Sequence, residues 1–188
     1  VARNFVANNE IYINTNAPRT NGIDINNNPT GTQILHNSVY ITGASTGYSQ
    51  CICFNSISSG SGKVIVRKNL FVNNNTEISK AYIFYHSSAI NSSNIIYYDI
   101  NDNVYYSIGN IAYTGVNQMT LENWQSVMLC DSNSKVVNVQ FTDVTKDAWY
   151  YNAVTSAASQ GILKGETETT FAPNATMTRG EALEAIYA

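Results

Sequence analysis

Short runs of alternating apolar and polar residues fill most of the chain, and they recur. "ANNEIYIN" (7–14), "LHNSVYIT" (35–42), "VRKNLFVN" (66–73) and "INDNVYYS" (100–107) superimpose at steps of 28, 31 and 34 residues. Placed so, Ile11, Val39, Leu70 and Val104 form an aliphatic column. Tyr12, Tyr40, Phe71 and Tyr105 form an aromatic one, and Ile13, Ile41, Val72 and Tyr106 a third. Alternation with period two puts the first and third columns on one face and the aromatic column on the other. The expectation is a buried aliphatic column with an outward aromatic stripe. A further run follows in the early repeats: "GIDI" (22–25), "CICF" (51–54) and "AYIF" (81–84). Another precedes the later ones: "QILH" (33–36), "VIVR" (64–67) and "IIYY" (95–98).

Two or three short strands per repeat, at periods near 30, predict a solenoid of about four coils. One coil cannot bury its inner face alone. Stacking coils about 4.8 Å apart pairs each strand with its equivalent and closes a continuous core. Clusters such as "SSGSG" (58–62) supply corners. The chain holds 26 Asn, 24 of them before residue 141. Asn at matching turns can hydrogen-bond up and down the stack. "LENWQSVMLCDSNS" (121–134) reads as a closing piece, with Thr120 capping a short helix that lays Trp124 over the last coil.

The pattern changes after residue 140. Asp147 is a candidate N-cap, and Trp149, Ala153, Val154, Ala157 and Ala158 then fall on one helical face. Gly161 sits where a helix C′ glycine belongs, "GILKG" turns the chain, and "TFAP" runs extended. Thr178 and Glu181 make a capping box opening a second helix with Leu183 and Ile186 inward. The boundary divides the chain into residues 1–140 and 141–188.

Charge supports that division. Residues 1–140 carry seven basic and seven acidic side chains, and residues 141–188 three and six. The net charge of −3 therefore sits in the tail. No basic patch points to nucleic acid, and no run is long enough to span a membrane. Cys51 and Cys53 are too close along a strand to bridge. No cofactor or metal is expected, since nothing has zinc spacing or forms a phosphate loop. The chain opens inside a β pattern and closes inside a helical one, as an internal piece of a longer protein would.

The pieces "VIVRKNLFVNNN" (64–75) and "NIIYYDINDNVYYS" (94–107) resemble the right-handed parallel β-helix proteins of the pectate-lyase-like superfamily. The tail resembles an S-layer homology domain. The family order of Phe-x-Asp-Val, Trp-bearing helix, Gly-Ile-x-x-Gly turn, Phe-x-Pro and Thr-Arg-Ala-Glu stands here as Phe141, Asp143, Val144, Trp149, Gly161 to Gly165, Phe171, Pro173 and Thr178 to Glu181. Gly180 replaces the family alanine, and "GETETT" (165–170) is more acidic than the family turn. The fold class is thus mainly β, a right-handed parallel β-helix followed by a small, incomplete α-helical unit of S-layer homology type.

The second resemblance implies an extracellular protein of the bacterial cell surface, held noncovalently on secondary cell-wall polysaccharide. The residues it implies for binding are Asp143, Trp149, Gly161, Gly165, Thr178, Arg179 and Glu181. Each has a plainer role. Trp149 reads as core or as a sugar platform. Thr178 and Glu181 read as a cap, and the glycines as turns. Arg179, in the first turn of a helix, has no structural duty in the sequence, and its fork suits an anionic glycan.

The first resemblance implies a carbohydrate-binding or adhesive module. Its alternative is a polysaccharide lyase or glycoside hydrolase with its site partly outside this chain. Either chemistry needs paired groups over one cleft. Only Asp99, Asp102 and Lys68 gather in the repeat, with no second group to complete them, so no catalysis is expected of this chain. A Tyr12–Tyr40–Phe71–Tyr105 stripe would suit other extracellular glycans or a covering loop.

Overall fold

The computed structural model describes residues 4–26, 31–55, 62–90, 94–107, 109–136, 141–145, 147–159, 163–167 and 170–187. The chain divides into two compact units, Val1–Val136 and Val137–Ala188.

The first unit is a parallel β-solenoid of four coils, each built from three strands. Coil one contains β1 (Phe5–Ala7), β2 (Glu10–Asn14) and β3 (Thr20–Asn26). Coil two contains β4 (Gln33–Leu35), β5 (Ser38–Gly43) and β6 (Ser49–Asn55). Coil three contains β7 (Val64–Arg67), β8 (Leu70–Asn75) and β9 (Ala81–His86). Coil four contains β10 (Tyr98–Asn101), β11 (Val104–Ser107) and β12 (Ala112–Thr114). Its first strand starts late, because Ile95–Tyr97 of the "IIYY" run form a 3-10 turn. Equivalent strands stack into three sheets, β1-β4-β7-β10, β2-β5-β8-β11 and β3-β6-β9-β12. The second sheet ends on β14 (Lys135–Val136), paired parallel, and the third on β13 (Gln118–Met119), paired antiparallel.

The first and second strands of every coil meet at one left-handed residue. Asn8, His36, Lys68 and Asp102 occupy that position, with φ between 55° and 58°. A lone residue at positive φ turns the chain sharply without a loop. An asparagine follows each time: Asn9, Asn37, Asn69 and Asn103. Their side chains form a ladder. The Asn69 Oδ1 accepts from the Asn37 amide N (2.8 Å) and Nδ2 (3.0 Å), and the Asn103 Oδ1 accepts likewise from Asn69 (3.0 and 3.0 Å). Each buried Nδ2 also donates to two main-chain carbonyls, Ile34 and Arg67 in the case of Asn69 (2.9 Å each). The ladder satisfies backbone groups that a tight corner would strand.

This ladder sets a register that corrects the expected columns. Ile11 pairs with Val39, but Val39 pairs with Phe71, and Phe71 with Tyr105. The inward column is Ile11–Val39–Phe71–Tyr105. Phe71 and Tyr105 are wholly buried, so they are not part of an outward stripe. Leu70 and Val104 stay in register with each other but lie on the opposite face, over Ser38. Of the expected stripe only Tyr12 and Tyr40 face out together, stacked at 5.4 Å. A slip of one residue flips every side chain to the other face.

The core is aliphatic toward coil one and aromatic toward coil four. Ile34, Ile41, Ile52, Phe54, Phe84 and Ile100 are fully buried in it. Burying a side chain of this size contributes about 1.5–3 kcal/mol. Asn73 also points inward, where its Nδ2 serves the carbonyls of Ser49 and Tyr82 (2.8 Å each). His86 is buried and satisfied, with Nδ1 2.6 Å from the Ser88 carbonyl oxygen and Nε2 beside the Tyr98 hydroxyl. Burial holds its pKa below the ordinary value. Gly43 is required at its corner: φ is +118°, and a Cβ there would lie 2.1 Å from the Thr15 carbonyl oxygen.

The last coil is closed as the sequence suggests. Helix α1 (Leu121–Met128) is capped by the Thr120 hydroxyl, which accepts from the Asn123 amide (3.3 Å). Trp124 is fully buried and stacks on Phe84 at 5.0 Å. Its Nε1 donates to Asp131 (3.1 Å), a carboxylate with no exposed surface that also accepts from the Tyr105 hydroxyl (3.0 and 2.9 Å).

Candidate functional site

The second unit holds α2 (Tyr151–Ser159) and α3 (Arg179–Tyr187). Phe141, Val144, Tyr151 and Val154 form its small core, with Ala158 and Phe171 against them. Phe141 and Phe171 lie 5.2 Å apart, which brings the two extended pieces together. Asp143 fastens that junction. Its carboxylate accepts from the amides of Phe171 (2.8 Å) and Ala172 (2.6 Å), and these donors, Phe171 first, hold its pKa below the ordinary value. Gly165 lies against the same ring, where a Cβ would come within 2.5 Å of Phe141 and of the Thr170 carbonyl oxygen. Asp143 and Gly165 therefore have structural roles.

The capping box forms in full. Glu181 donates its amide to the Thr178 hydroxyl (3.3 Å), and its carboxylate accepts from the Thr178 amide (2.7 Å) and hydroxyl (2.8 Å). Those bonds hold the Glu181 pKa below the ordinary value. Gly180 has room for a Cβ, whose nearest neighbour would be the Thr178 Oγ1 at 3.9 Å. Gly180→Ala should therefore stabilise α3 by about 0.5–1 kcal/mol, read as greater amide-exchange protection across residues 182–187. No gain in protection would mean that α3 is not limited by backbone entropy.

Four expectations for this unit change. Helix α2 starts at Tyr151, so Asp147 does not cap it and Trp149 precedes it. Trp149 is 92% exposed and touches Tyr150 edge-on at 5.5 Å, while Tyr151 takes the buried place. Ala153 is exposed, and Leu183 is 56% exposed. Gly161 and the side chain of Ile186 lie outside the described residues. Arg179 is exposed in the first turn of α3 and has no ion-pair partner among the described residues.

On the solenoid, the gathered charges have a structural duty. Arg67 reaches Asp99 through Nη2 (2.7 Å) and Nε (3.2 Å), and Asp102 through Nη1 (3.4 Å). The Asn133 Nδ2 donates to the other Asp102 oxygen (3.1 Å). Lys68 occupies the left-handed corner and is exposed. Asp99 and Arg67 line a groove of about 500 Å3 beside the last coil, with Lys63, Ile96 and Cys130. Burial pushes the Cys130 thiol up to about 11, which keeps it protonated. Each acid is thus tied across coils rather than held free over a cleft.

The residue pattern missed an aromatic patch. Tyr48, Tyr82, Tyr85 and Tyr113 cluster on the third sheet, with centroids 5.2–6.2 Å apart. Arg19 lies over the Tyr85 ring at 5.3 Å. The sheet register supplied the signal, since Asp24, Cys53, Tyr85 and Tyr113 stack in line. Tyr85 lies one residue past the run "AYIF", and Tyr48 lies in the corner before β6.

No helix among the described residues is long and apolar enough to cross a membrane. No solved structure matches the chain. A 45-residue stretch is 49% identical to the Surface-layer 125 kDa protein of Lysinibacillus sphaericus, covering 24% of this chain and 4% of that protein. The chain thus spans a small part of that relative's length. Residues 140–183 match the family model of the S-layer homology domain, which indicates a protein of the cell surface or cell wall.

Proposed function

We propose that residues 141–188 hold this protein noncovalently on secondary cell-wall polysaccharide. In this reading residues 1–140 are a right-handed, pectate-lyase-like β-helix, displayed as a carbohydrate-binding or adhesive module. The observation that carries the anchoring role is the match over residues 140–183. S-layer homology domains bind cell-wall polymers, and this unit presents at the start of α3 a guanidinium with no ion-pair partner among the described residues, and a bare indole at Trp149. The asparagine ladder and parallel coils support the β-helix kinship. The ties of Arg67 to Asp99 and Asp102 favour a binding module over a lyase or hydrolase.

Sedimentation with purified sacculi tests the anchor. The chain should pellet with intact sacculi and stay in solution with sacculi stripped of their polysaccharide by acid. Arg179→Ala should weaken binding by about 1.5 kcal/mol, the low end for a charge-assisted hydrogen bond because the group is exposed. Arg179→Lys should recover only part, since an ammonium cannot make the bidentate fork. Equal pelleting of wild type and Arg179→Ala would remove Arg179 from the site. Equal pelleting with stripped sacculi would remove the polysaccharide as ligand.

A further inference from the structure

The asparagine ladder has a direction. At each corner the amide N and Nδ2 of one asparagine donate to the Oδ1 of the asparagine in the following coil: Asn9 to Asn37 (3.1 and 2.9 Å), then Asn37 to Asn69 and Asn69 to Asn103. The corner backbone is linked in the opposite sense. The amides of Ser38, Leu70 and Val104 donate back to the carbonyls of Asn9, Asn37 and Asn69 (2.9, 2.8 and 2.9 Å). At the coil-four end both series are closed. The Asn103 amide donates to the Ser134 Oγ (2.8 Å), and the Lys135 amide to the Asn103 carbonyl (3.1 Å).

The coil-one end is built differently. Asn9 is exposed, and its Oδ1 has no donor among the described residues. The Glu10 amide holds the place from which Ser38, Leu70 and Val104 reach back. Strands β1, β2 and β3 are the edges of their three sheets. They carry neither the lysine nor the proline that commonly blunts a free edge. Val6, Ile11 and Ile13 are half-buried, whereas Ile34, Val39 and Ile41, their partners in coil two, are fully buried. The core columns thus run out to this face without a cover like Trp124.

We propose that this face docks one further solenoid coil, parallel and in register, from the amino-terminal side of the same polypeptide. Its corner carries an asparagine whose amide N and Nδ2 donate to the Asn9 Oδ1, and whose carbonyl accepts from the Glu10 amide. Its inward side chains cover Val6, Ile11 and Ile13.

The direction of the ladder picks out this occupant. In every step from coil one to coil four the side-chain donors belong to the earlier coil. A second copy meeting the face edge to edge would set one Asn9 acceptor against another. A second copy stacked head to tail would have to offer its fourth coil, where β13, β14 and Ser134 already fill the place. The face is independent of what the solenoid binds, so failure of either reading leaves the other standing.

Prefixing the full chain with a second copy of residues 1–28 tests it. That length is the step from the Asn8 corner to the His36 corner, so the added asparagine falls one coil ahead of Asn9. A docked coil should raise the urea midpoint read by Trp124 emission, and the m-value by roughly one-fifth, the added share of the solenoid. Asn9→Ala should then lower the midpoint several-fold more than it does in the unextended chain, because Asn9 has become an inner rung. Changing the added corner asparagine to alanine should remove roughly half of the gain or more. An unchanged midpoint and m-value, loss of the folded Trp124 signal, or an equal effect of Asn9→Ala in both chains overturns the proposal. An equal gain from the alanine form overturns the corner as the element that recognises the coil. Sedimentation of the unextended chain is the second measurement. A concentration-dependent dimer that Ile11→Lys dissolves would give the face to a second copy instead, and a monomer at all concentrations is expected.

Discussion

Replacing Asn69 with alanine should destabilise the solenoid by about 3–5 kcal/mol, although the residue is polar and touches no ligand. Its side chain makes five hydrogen bonds in the fold's interior: two accepted from Asn37, one donated to Asn103, and one to each of the Ile34 and Arg67 carbonyls. Alanine leaves all five partners in place without water. A buried group stranded in this way costs about 1–3 kcal/mol, and the losses do not add fully because neighbours relax. Asn9→Ala is the control. The Asn9 side chain donates only to the Ala7 carbonyl (3.1 Å), which is exposed, and the Asn37 Oδ1 (2.9 Å), which is half-buried, so its loss should cost about 1 kcal/mol. Urea unfolding followed by Trp124 emission reads the solenoid, because Trp124 is buried and Trp149 is already in water. Equal losses for Asn69→Ala and Asn9→Ala would mean that the ladder carries no more than its surface rung.

The ladder also explains which part of the fold was legible. Two or three strands per coil and about four coils follow from periodicity, because each is a local pattern repeated, and the closing helix follows from the Thr120 cap before Trp124. The register did not follow. Aligning Phe71 with Tyr40 by aromatic likeness keeps a column intact, but it spaces coils two and three by 31 residues where the corner residues His36 and Lys68 stand 32 apart. The true anchor is the pair of a left-handed residue and a buried asparagine at 8–9, 36–37, 68–69 and 102–103. Asn tolerates burial here only because the corner offers it carbonyls and amides to serve. Aligning on those asparagines turns Phe71 and Tyr105 inward and puts Leu70 and Val104 on the other face. The tyrosine patch stayed hidden for a related reason. Its members lie at different places in three coils, and only the stacked sheet and the corner before β6 bring them together.

In the tail, local chemistry was legible and helix faces were not. The Thr178–Glu181 box needs only a spacing of three, and Asp143 before Phe171 matches a family order. The apolar spacing puts Trp149 on a helix, but that helix begins two residues later, at Tyr151. The segment before it is spent in turns, with the Ala148 amide donating to the Thr145 carbonyl (3.0 Å) and the Tyr151 amide to the Ala148 carbonyl (2.9 Å). The aromatic that enters the core is therefore Tyr151. Leu183 and Trp149 remain as bare apolar groups on a unit whose own core is small.

The solenoid should grow more stable as the pH falls from 7 to 5, the reverse of the usual acid response, and Asp131 should be the cause. Its carboxylate is fully buried under the closing helix, fed by the Tyr105 hydroxyl, the Trp124 Nε1 and the Ser134 Oγ, with no cation paired to it among the described residues. Burial raises its pKa to about 6, although those donors pull the other way. In the unfolded chain an aspartate titrates near 3.9. Between these values the folded state binds the extra proton, so stability is gained on acidification and lost as pH rises through about 6. The full span is worth up to about 3 kcal/mol. His86 opposes it, because its lowered pKa keeps the folded state from taking up the proton that the unfolded chain binds as pH falls below the ordinary histidine value. Asp143 and Glu181, held below their ordinary values, act in the second unit and lose their contribution only in stronger acid. The decisive measurement is therefore a difference. Asp131→Asn keeps an acceptor for Trp124 but cannot ionise, so its stability relative to wild type should rise by about 1–1.5 kcal/mol from pH 5 to pH 7.5. Asp131→Ala strands the indole N–H and the tyrosine hydroxyl and should cost about 3 kcal/mol at pH 5, where the carboxyl is neutral and its loss is one of hydrogen bonds alone. Parallel pH profiles for wild type and Asp131→Asn would show that Asp131 is ionised across the whole range, and that three donors are enough to keep a buried carboxylate charged.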